Sequence, residues 1–300
     1  MRCWLQALAL VALQAVVSEQ ALPEQTQHRE WAELGCAREM SARETRVRCS
    51  LPAGNLTLVT DDFKFFNIEC EPDASGRAGR FRCDELKAVV ARMWAYRDLN
   101  FDYYVPLTVR RCELTEPLLC ALSLPGVTYN PLTLEDVPDL SPKYLDGFEL
   151  YALNISYKAK NATVGMPPQL TGPTGQNVPR LSEPWPPALQ KVVELELTGL
   201  DEVAGVLEHL PLLQILTLGG HTIKTINEET FKNLKILRRL HLRTNALKSL
   251  PPSLLIPTPD LRNLELSDYQ LQYLSREPLR HLQHLEKASS FLTEPHCLEI

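Results

Sequence analysis

The sequence predicts an α/β solenoid: a right-handed horseshoe whose parallel concave sheet follows a cysteine-rich N-terminal cap. Two observations predict it. From about Tyr104 a pattern L-x-x-L-x-L-x-x-(N/C)-x-L returns repeatedly, most cleanly at Leu237, Leu240, Leu242, Asn245, Leu247 and Leu250. A period of roughly 20–29 residues in this form marks leucine-rich repeats. The second observation is cysteine usage. Cys36, Cys49, Cys70, Cys83, Cys112 and Cys120 fall in one block, and Cys297 stands alone far beyond it. Repeats of this kind build extended concave binding surfaces, so the functional question concerns a protein partner before it concerns a reaction.

Residues 1–18 read as a secretory signal peptide. Met1-Arg2 precedes an apolar run from Cys3 to Val17, broken only by Gln6 and Gln14, and Val16 and Ser18 suit the cleavage positions. A buried N-terminal helix is the other reading, but Ser18, Glu19, Gln20 and Glu24 turn the chain polar at once. No later stretch approaches the ~20 apolar residues of a membrane span. Three N-x-S/T sequons, at Asn55, Asn154 and Asn161, fit an extracellular chain. The net charge of −6 is mild and argues against nucleic acid, which requires a concentrated basic face.

Residues 19–120 form the cap and the irregular first repeats. Six clustered cysteines in an oxidising compartment imply three disulfides. The expected pairs are Cys36–Cys49, Cys70–Cys112 and Cys83–Cys120; Cys70 and Cys112 end or follow strands in adjacent turns. A zinc site is the alternative, and it lacks any C-x-x-C pair or histidine in the block. Asp84–Leu99 is a helix candidate: Asp84 caps it, Asp84 and Glu85 suit its positive end, and Leu86, Val89, Val90 and Met93 share one face.

Repeat starts fall near Phe63, Tyr104, Leu145, Val192, Leu213, Leu237, Leu261 and Leu282. The later intervals are 21, 24, 24 and 21 residues, whereas the earlier ones are 41, 41 and 47, as though each carried an insertion. Residues 121–163 are therefore one divergent repeat. Residues 164–190 are a proline-rich insertion, with seven prolines in the 24 residues from Val164 to Pro187. Such a composition gives an extended, poorly ordered segment or, less simply, a proline-rich ligand. Residues 191–300 are leucine-rich repeats, truncated at the C-terminus.

Each start opens a short strand with apolar side chains on one face and polar ones on the other. Stacking places these strands side by side, about 4.8 Å apart. Asn227–Leu234 reads as a convex helical turn with Phe231 and Leu234 inward. The ninth consensus position holds Cys112, Leu153, Leu200, His221, Asn245, Tyr269 and Ser290, so the usual asparagine ladder is mostly missing. Water or other side chains are expected to satisfy those backbone groups.

The same register lists the concave positions. Val193, Glu194, Glu196 and Thr198 come first, then Gln214, Ile215 and Thr217. Arg238, Arg239, His241 and Arg243 follow, then Arg262, Asn263, Glu265 and Asp268. Of these, Glu194, Glu196, Arg238, Arg239, His241, Arg243, Arg262 and Glu265 are the candidate ligand-binding residues. Fixed charges on a rigid sheet steer a partner of mixed charge; the alternative is cross-strand pairing, with Arg239 or His241 neutralising Glu265. No nucleophile elbow, H-E-x-x-H or glycine-rich phosphate loop is present, so no enzyme, cofactor or catalytic residue is expected. His281, His284, His296 and Cys297 lack a regular metal-ligand spacing, and no metal is expected.

Arg48-Cys49-Ser50-Leu51-Pro52, then Leu56-Thr57-Leu58, then Phe65-Phe66-Asn67-Ile68-Glu69-Cys70, resemble the N-terminal cap of arthropod-type Toll receptors. Val109-Arg110-Arg111-Cys112-Glu113-Leu114 resembles the next capping strand. Phe231, Leu234, Leu237, Leu240 and Leu242 with Leu250-Pro251 resemble the typical repeats that follow. The resemblance spans about residues 36–292. It implies the N-terminal ectodomain of a Toll-like receptor that binds a Spätzle-like cystine-knot cytokine and signals by pairing with a second receptor chain. It implies secretion, or a place on the extracellular side of the plasma membrane through a downstream segment. A secreted leucine-rich-repeat decoy or matrix-binding protein is the alternative. The chain departs from the family in lacking a membrane span, a TIR domain and a C-terminal cysteine-rich cap. A bare C-terminal repeat exposes apolar surface, so a fragment is expected.

Overall fold

The computed structural model describes residues 24–41, 44–61, 64–72, 78–94, 103–124, 126–157, 184–200, 203–220, 223, 226–243, 247, 249–267 and 277–290. Residues 1–18, read as a signal peptide, and Asn161, Asn245, Asp268, Tyr269 and Cys297 lie outside these residues.

Apolar side chains recurring at the fourth and sixth consensus positions determine the architecture. Among the described residues, twelve strands form one sheet in chain order, and two short strands pair separately. The cap contributes β1 (Cys36–Met40), β2 (Thr45–Leu51), β3 (Gly54–Asp61) and β4 (Phe65–Cys70), each antiparallel to the next. From β4 onward every pairing is parallel, through β6 (Tyr103–Arg110), β8 (Val127–Glu135), β9 (Ala152–Ser156) and β10 (Glu194–Thr198). It continues through β11 (Ile215–Gly219), β12 (Arg239–Arg243), β13 (Asn263–Ser267) and β14 (Lys287–Ser290). The remaining strands, β5 (Gly79–Arg80) and β7 (Cys112–Glu113), pair with each other.

The inward row Phe66, Leu107, Leu132, Leu153, Leu195, Leu216, Leu240 and Leu264 is buried along its whole length. So is the second row, from Ile68 and Val109 to Leu242 and Leu266. Burying apolar surface at roughly 25 cal/mol per Å² makes these two rows the main source of cohesion.

This register corrects three expectations. Residues 121–163 hold two repeats, because Tyr129-x-x-Leu132-x-Leu134 forms β8 and Leu150-x-x-Leu153-x-Ile155 forms β9. Leu145 is therefore not a repeat start, and Leu153 fills the fourth position instead of the ninth. Pro131 hides the first of these repeats from pattern reading, since proline donates no ladder hydrogen bond and usually excludes a central strand. The register slips by one residue between Val105 and Leu107, which accommodates the extra residue at Asn130-Pro131. The Asn130 Oδ1 accepts the Ala152 N–H at 3.2 Å, a side-chain bond between β8 and β9. At the other end, β14 pairs Leu264 with Ala288 and Leu266 with Ser290, which moves the last start from Leu282 to Leu285. Ser290 thus takes the sixth position of its repeat, not the ninth.

The proline-rich segment also ends earlier than expected. Trp185 is buried in the core and its carbonyl accepts the Gln190 Nε2–H at 2.9 Å. Residues 164–183 of that segment lie outside those described.

In the cap, disulfides join Cys36 to Cys49, Cys70 to Cys112, and Cys83 to Cys120. A first helix, α1 (Glu24–Glu33), has no counterpart in the sequence reading. It buries Trp31 and is tied by the Glu30–Arg92 pair (2.9 Å) to α2 (Cys83–Trp94). The face Leu86, Val89, Val90 and Met93 of α2 is buried, and Trp94 meets Phe66 edge-on at 5.8 Å. Asp84 lies inside the first turn of α2 and does not cap it. The orphan N–H of Cys83 donates instead to Glu116 Oε2 at 3.1 Å. A one-turn helix, α3 (Leu119–Leu122), carries Cys120. Farther on, Phe231 and Leu234 are buried on the convex side.

Backbone bonds link successive turns where the asparagine ladder is missing. At the eighth position of successive turns, the N–H of Arg111, Asp136, Tyr157 and Gly199 donates to Glu135, Ser156, Thr198 and Gly219 respectively, at 2.8–3.0 Å. Each acceptor ends the strand of the next turn. Arg111 (φ 54°), Asp136 (φ 53°), Gly199 (φ 77°) and Gly220 (φ 103°) adopt left-handed backbone there, a conformation that costs least for glycine.

Candidate ligand-binding face

In each parallel strand the residues flanking the two inward positions point away from the core, so three polar rows cross the concave sheet. The first row runs Ala152, Glu194, Ile215, Arg239, Asn263, Lys287. The second runs Thr133, Asn154, Glu196, Thr217, His241, Glu265. The third runs Glu135, Ser156, Thr198, Gly219, Arg243, Ser267. Backbone pairing fixes these side chains at strand spacings of about 4.8 Å. Glu194 and Glu196 therefore stand roughly 10 Å from Arg239 and His241, across a strand that presents only Ile215, Thr217 and Gly219.

The candidate residues divide into two sets. His241 Nε2 lies 3.9 Å and Arg243 Nε 3.6 Å from the Glu265 carboxylate, and Arg243 Nη2 is 3.3 Å from His241 Nδ1. The cross-strand pairing considered from the sequence is thus made by His241 and Arg243, while Arg239 takes no part in it. Burial holds the His241 pKa below the ordinary imidazole value; Arg243 and Arg239 push it the same way, against the pull of Glu265 and Glu194. Arg262 pairs with Glu286 at 3.4 Å, just ahead of the strands. By contrast, Glu194, Glu196, Arg238 and Arg239 have no oppositely charged partner within 4.0 Å among the described residues. Arg238 and Arg262 occupy the position before each strand, on the rim of the sheet instead of its floor.

Nearer the cap, charges compensate one another. Arg110 makes a two-point contact with Glu135 (2.7 and 3.3 Å), and Arg111 pairs with Glu69.

The missed repeat also concealed a hollow of about 370 Å³ lined by Asn130, Pro131, Tyr151, Ala152, Asn154 and Glu194. Tyr151 and Tyr104 are exposed aromatics of β9's approach and β6. The correct register would have revealed Tyr151, which precedes the strand as Arg238 and Arg262 do. Among the described residues, Cys83, Glu116 and Cys120 come together as metal ligands would, but the two cysteines are joined as a disulfide. No helix among these residues is long and apolar enough to cross a membrane.

The leucine rich repeat family model matches residues 211–271, about a fifth of the chain. No curated protein matches the sequence significantly. Among solved structures, two of the Toll–Spätzle complex, described as a molecular hub in Drosophila development and innate immunity, are similar to it. One shares 14% identity at a TM-score of 0.37, over 85% of this chain and 38% of the other. The second, a glycosylated form, shares 14% identity at a TM-score of 0.47, over 84% and 34%. The chain thus spans well under half the length of the chains it matches.

Proposed function

We propose that this chain is the ligand-binding part of an extracellular Toll-type receptor, holding a Spätzle-like cystine-knot cytokine against its concave sheet and signalling as it pairs with a second receptor chain. The observation that carries the reading is the separation of uncompensated charge on a rigid surface. Glu196 with Glu194 lies on one side of neutral β11, and Arg238 with Arg239 on the other. Charges already neutralised by neighbours contribute little to steering, whereas unpaired ones of opposite sign set both encounter rate and register. Three disulfides suit an oxidising compartment, and the apolar run at residues 3–17 suits export. A flat sheet of mixed charge suits binding better than catalysis, which calls for convergent groups in a dry cleft.

The test is the association rate of a purified Spätzle-type dimer, measured against salt, for Glu196→Lys and Arg239→Glu. A several-fold slower association with a changed salt slope is expected for each, with Arg262→Gln as a control close to wild type. Rates unchanged in both variants would refute the reading.

A further inference from the structure

We propose that Asn154 carries an N-linked glycan whose first sugar lies in the hollow over Pro131 and Ala152, against Tyr151, and that this sugar withdraws Glu194 from the face open to a protein partner. The inference rests on the extracellular reading above. Within the sequon Asn154-Ile155-Ser156, Ile155 is buried in the inward row, so the acceptor amide stands on the concave face in mid-sheet. Its Nδ2 has one long contact, 3.5 Å to Thr133 Oγ1, and N-linkage leaves one N–H to keep that contact.

Beside it the sheet floor drops. The row partner of Ala152 on one side is the long Glu194, while Pro131 and Ala152 are short, and the depression measures about 370 Å³. That volume falls in the ~300–1,000 Å³ range of small-ligand sites. The Tyr151 side wall is 54% exposed and offers an apolar ring face to a sugar's C–H face, with a hydroxyl for hydrogen bonding. Polar groups on the rim suit hydroxyls and an acetamido group: the Glu194 carboxylate accepts, and the Asn130 amide keeps its donors while its Oδ1 is held by the Ala152 N–H. An occupant seated here covers Glu194 and leaves Arg238 and Arg239, on the far side of β11, for the partner.

The experiment uses the full chain secreted from cultured animal cells. Peptide N-glycosidase release in heavy-oxygen water, followed by mass spectrometry, marks each occupied asparagine. Asn55, exposed on β3, serves as internal reference. Both asparagines are expected to be occupied, and release from the native protein is expected to be at least ten-fold slower at Asn154 than at Asn55. Tyr151→Ala should speed release at Asn154 several-fold and leave Asn55 unchanged; the wild-type comparison stands without that variant. Occupancy of Asn55 alone, equal release rates, or a Tyr151→Ala variant that melts like wild type yet leaves the Asn154 rate unaltered would each overturn the proposal while the extracellular reading stands. Occupancy of neither site would overturn both.

Discussion

The Tyr157 hydroxyl donates a 2.7 Å hydrogen bond to the main-chain carbonyl of Val137. Val137 fills the ninth position of the repeat begun at Tyr129, where a consensus asparagine would serve the backbone itself. A side chain from the next turn thus does part of that work, while the Tyr157 N–H continues the main-chain ladder to Thr198. Burial and the nearby Asp136 and Asp139 raise the Tyr157 pKa above the ordinary phenol value.

Two tyrosines in adjacent repeats therefore make opposed predictions. Tyr157→Phe strands the Val137 carbonyl and should cost about 1–3 kcal/mol. Among the described residues the buried Tyr129 hydroxyl has no hydrogen-bond partner, and burial raises its pKa too. Tyr129→Phe should accordingly be neutral or stabilising. Both tyrosines favour the neutral form on folding. Their contribution is full below the unfolded pKa of about 10 and declines as pH climbs toward the raised folded-state values. Denaturant melts at neutral and alkaline pH read both effects, and equal costs for the two variants would contradict the assignment.

Gly199→Ala should be among the most destabilising single substitutions in the repeats. Gly199 has φ +77°, and an added Cβ would lie 2.0 Å from the Tyr157 carbonyl oxygen. Left-handed strain and overpacking together amount to roughly 2–6 kcal/mol. Thermal unfolding of the variant close to that of wild type would show that the turns are not stacked so closely there.

Much of this was legible in the residues. Leu195, Leu197, Leu216, Leu218, Leu240 and Leu242 announce their row positions because leucine at a fixed period has few other uses. The family model matches this same region, residues 211–271. What escaped has physical causes. Pro131 disguised a strand, since proline donates no ladder bond, and the Asn130 side chain that accepts the Ala152 N–H there follows no pattern. The leucines at 282 and 285 imitate the first and fourth positions, whereas Ala288 and Ser290 are the residues that pair. The backbone ladder was invisible because N–H groups carry no sequence signature, although Gly199 and Gly220 hinted at it. On the concave face, spacing gave the position of every charge but could not say that Arg243 bends to Glu265 while Arg239 does not.

Acid should weaken the middle repeats through His241. Its pKa is depressed, chiefly by burial and also by Arg243 and Arg239, so folding favours the neutral ring. The stability it confers is present above the unfolded value of about 6.5 and is lost as pH falls through the depressed folded value. His241→Gln should therefore lose less stability than wild type between about pH 8 and about pH 5. Parallel melting curves for the two proteins over that interval would rule out this role.

The disulfides of the cap should differ in what they contribute. Cys36 and Cys49 face each other across β1 and β2, 13 residues apart in sequence, whereas Cys70–Cys112 closes a separation of 42. Each removal should cost about 2–5 kcal/mol. Loop-closure entropy grows with the logarithm of loop length, so the longer loop should cost roughly 1 kcal/mol more. The longer bridge also secures the passage from the antiparallel cap to the parallel repeats: Cys70 ends β4, Cys112 begins β7, and both are fully buried. Replacing both cysteines of each pair by serine, one pair at a time, and following chemical denaturation gives the comparison. A larger loss for Cys36–Cys49 would mean that strain or residual unfolded-state structure, and not loop closure, governs the cap.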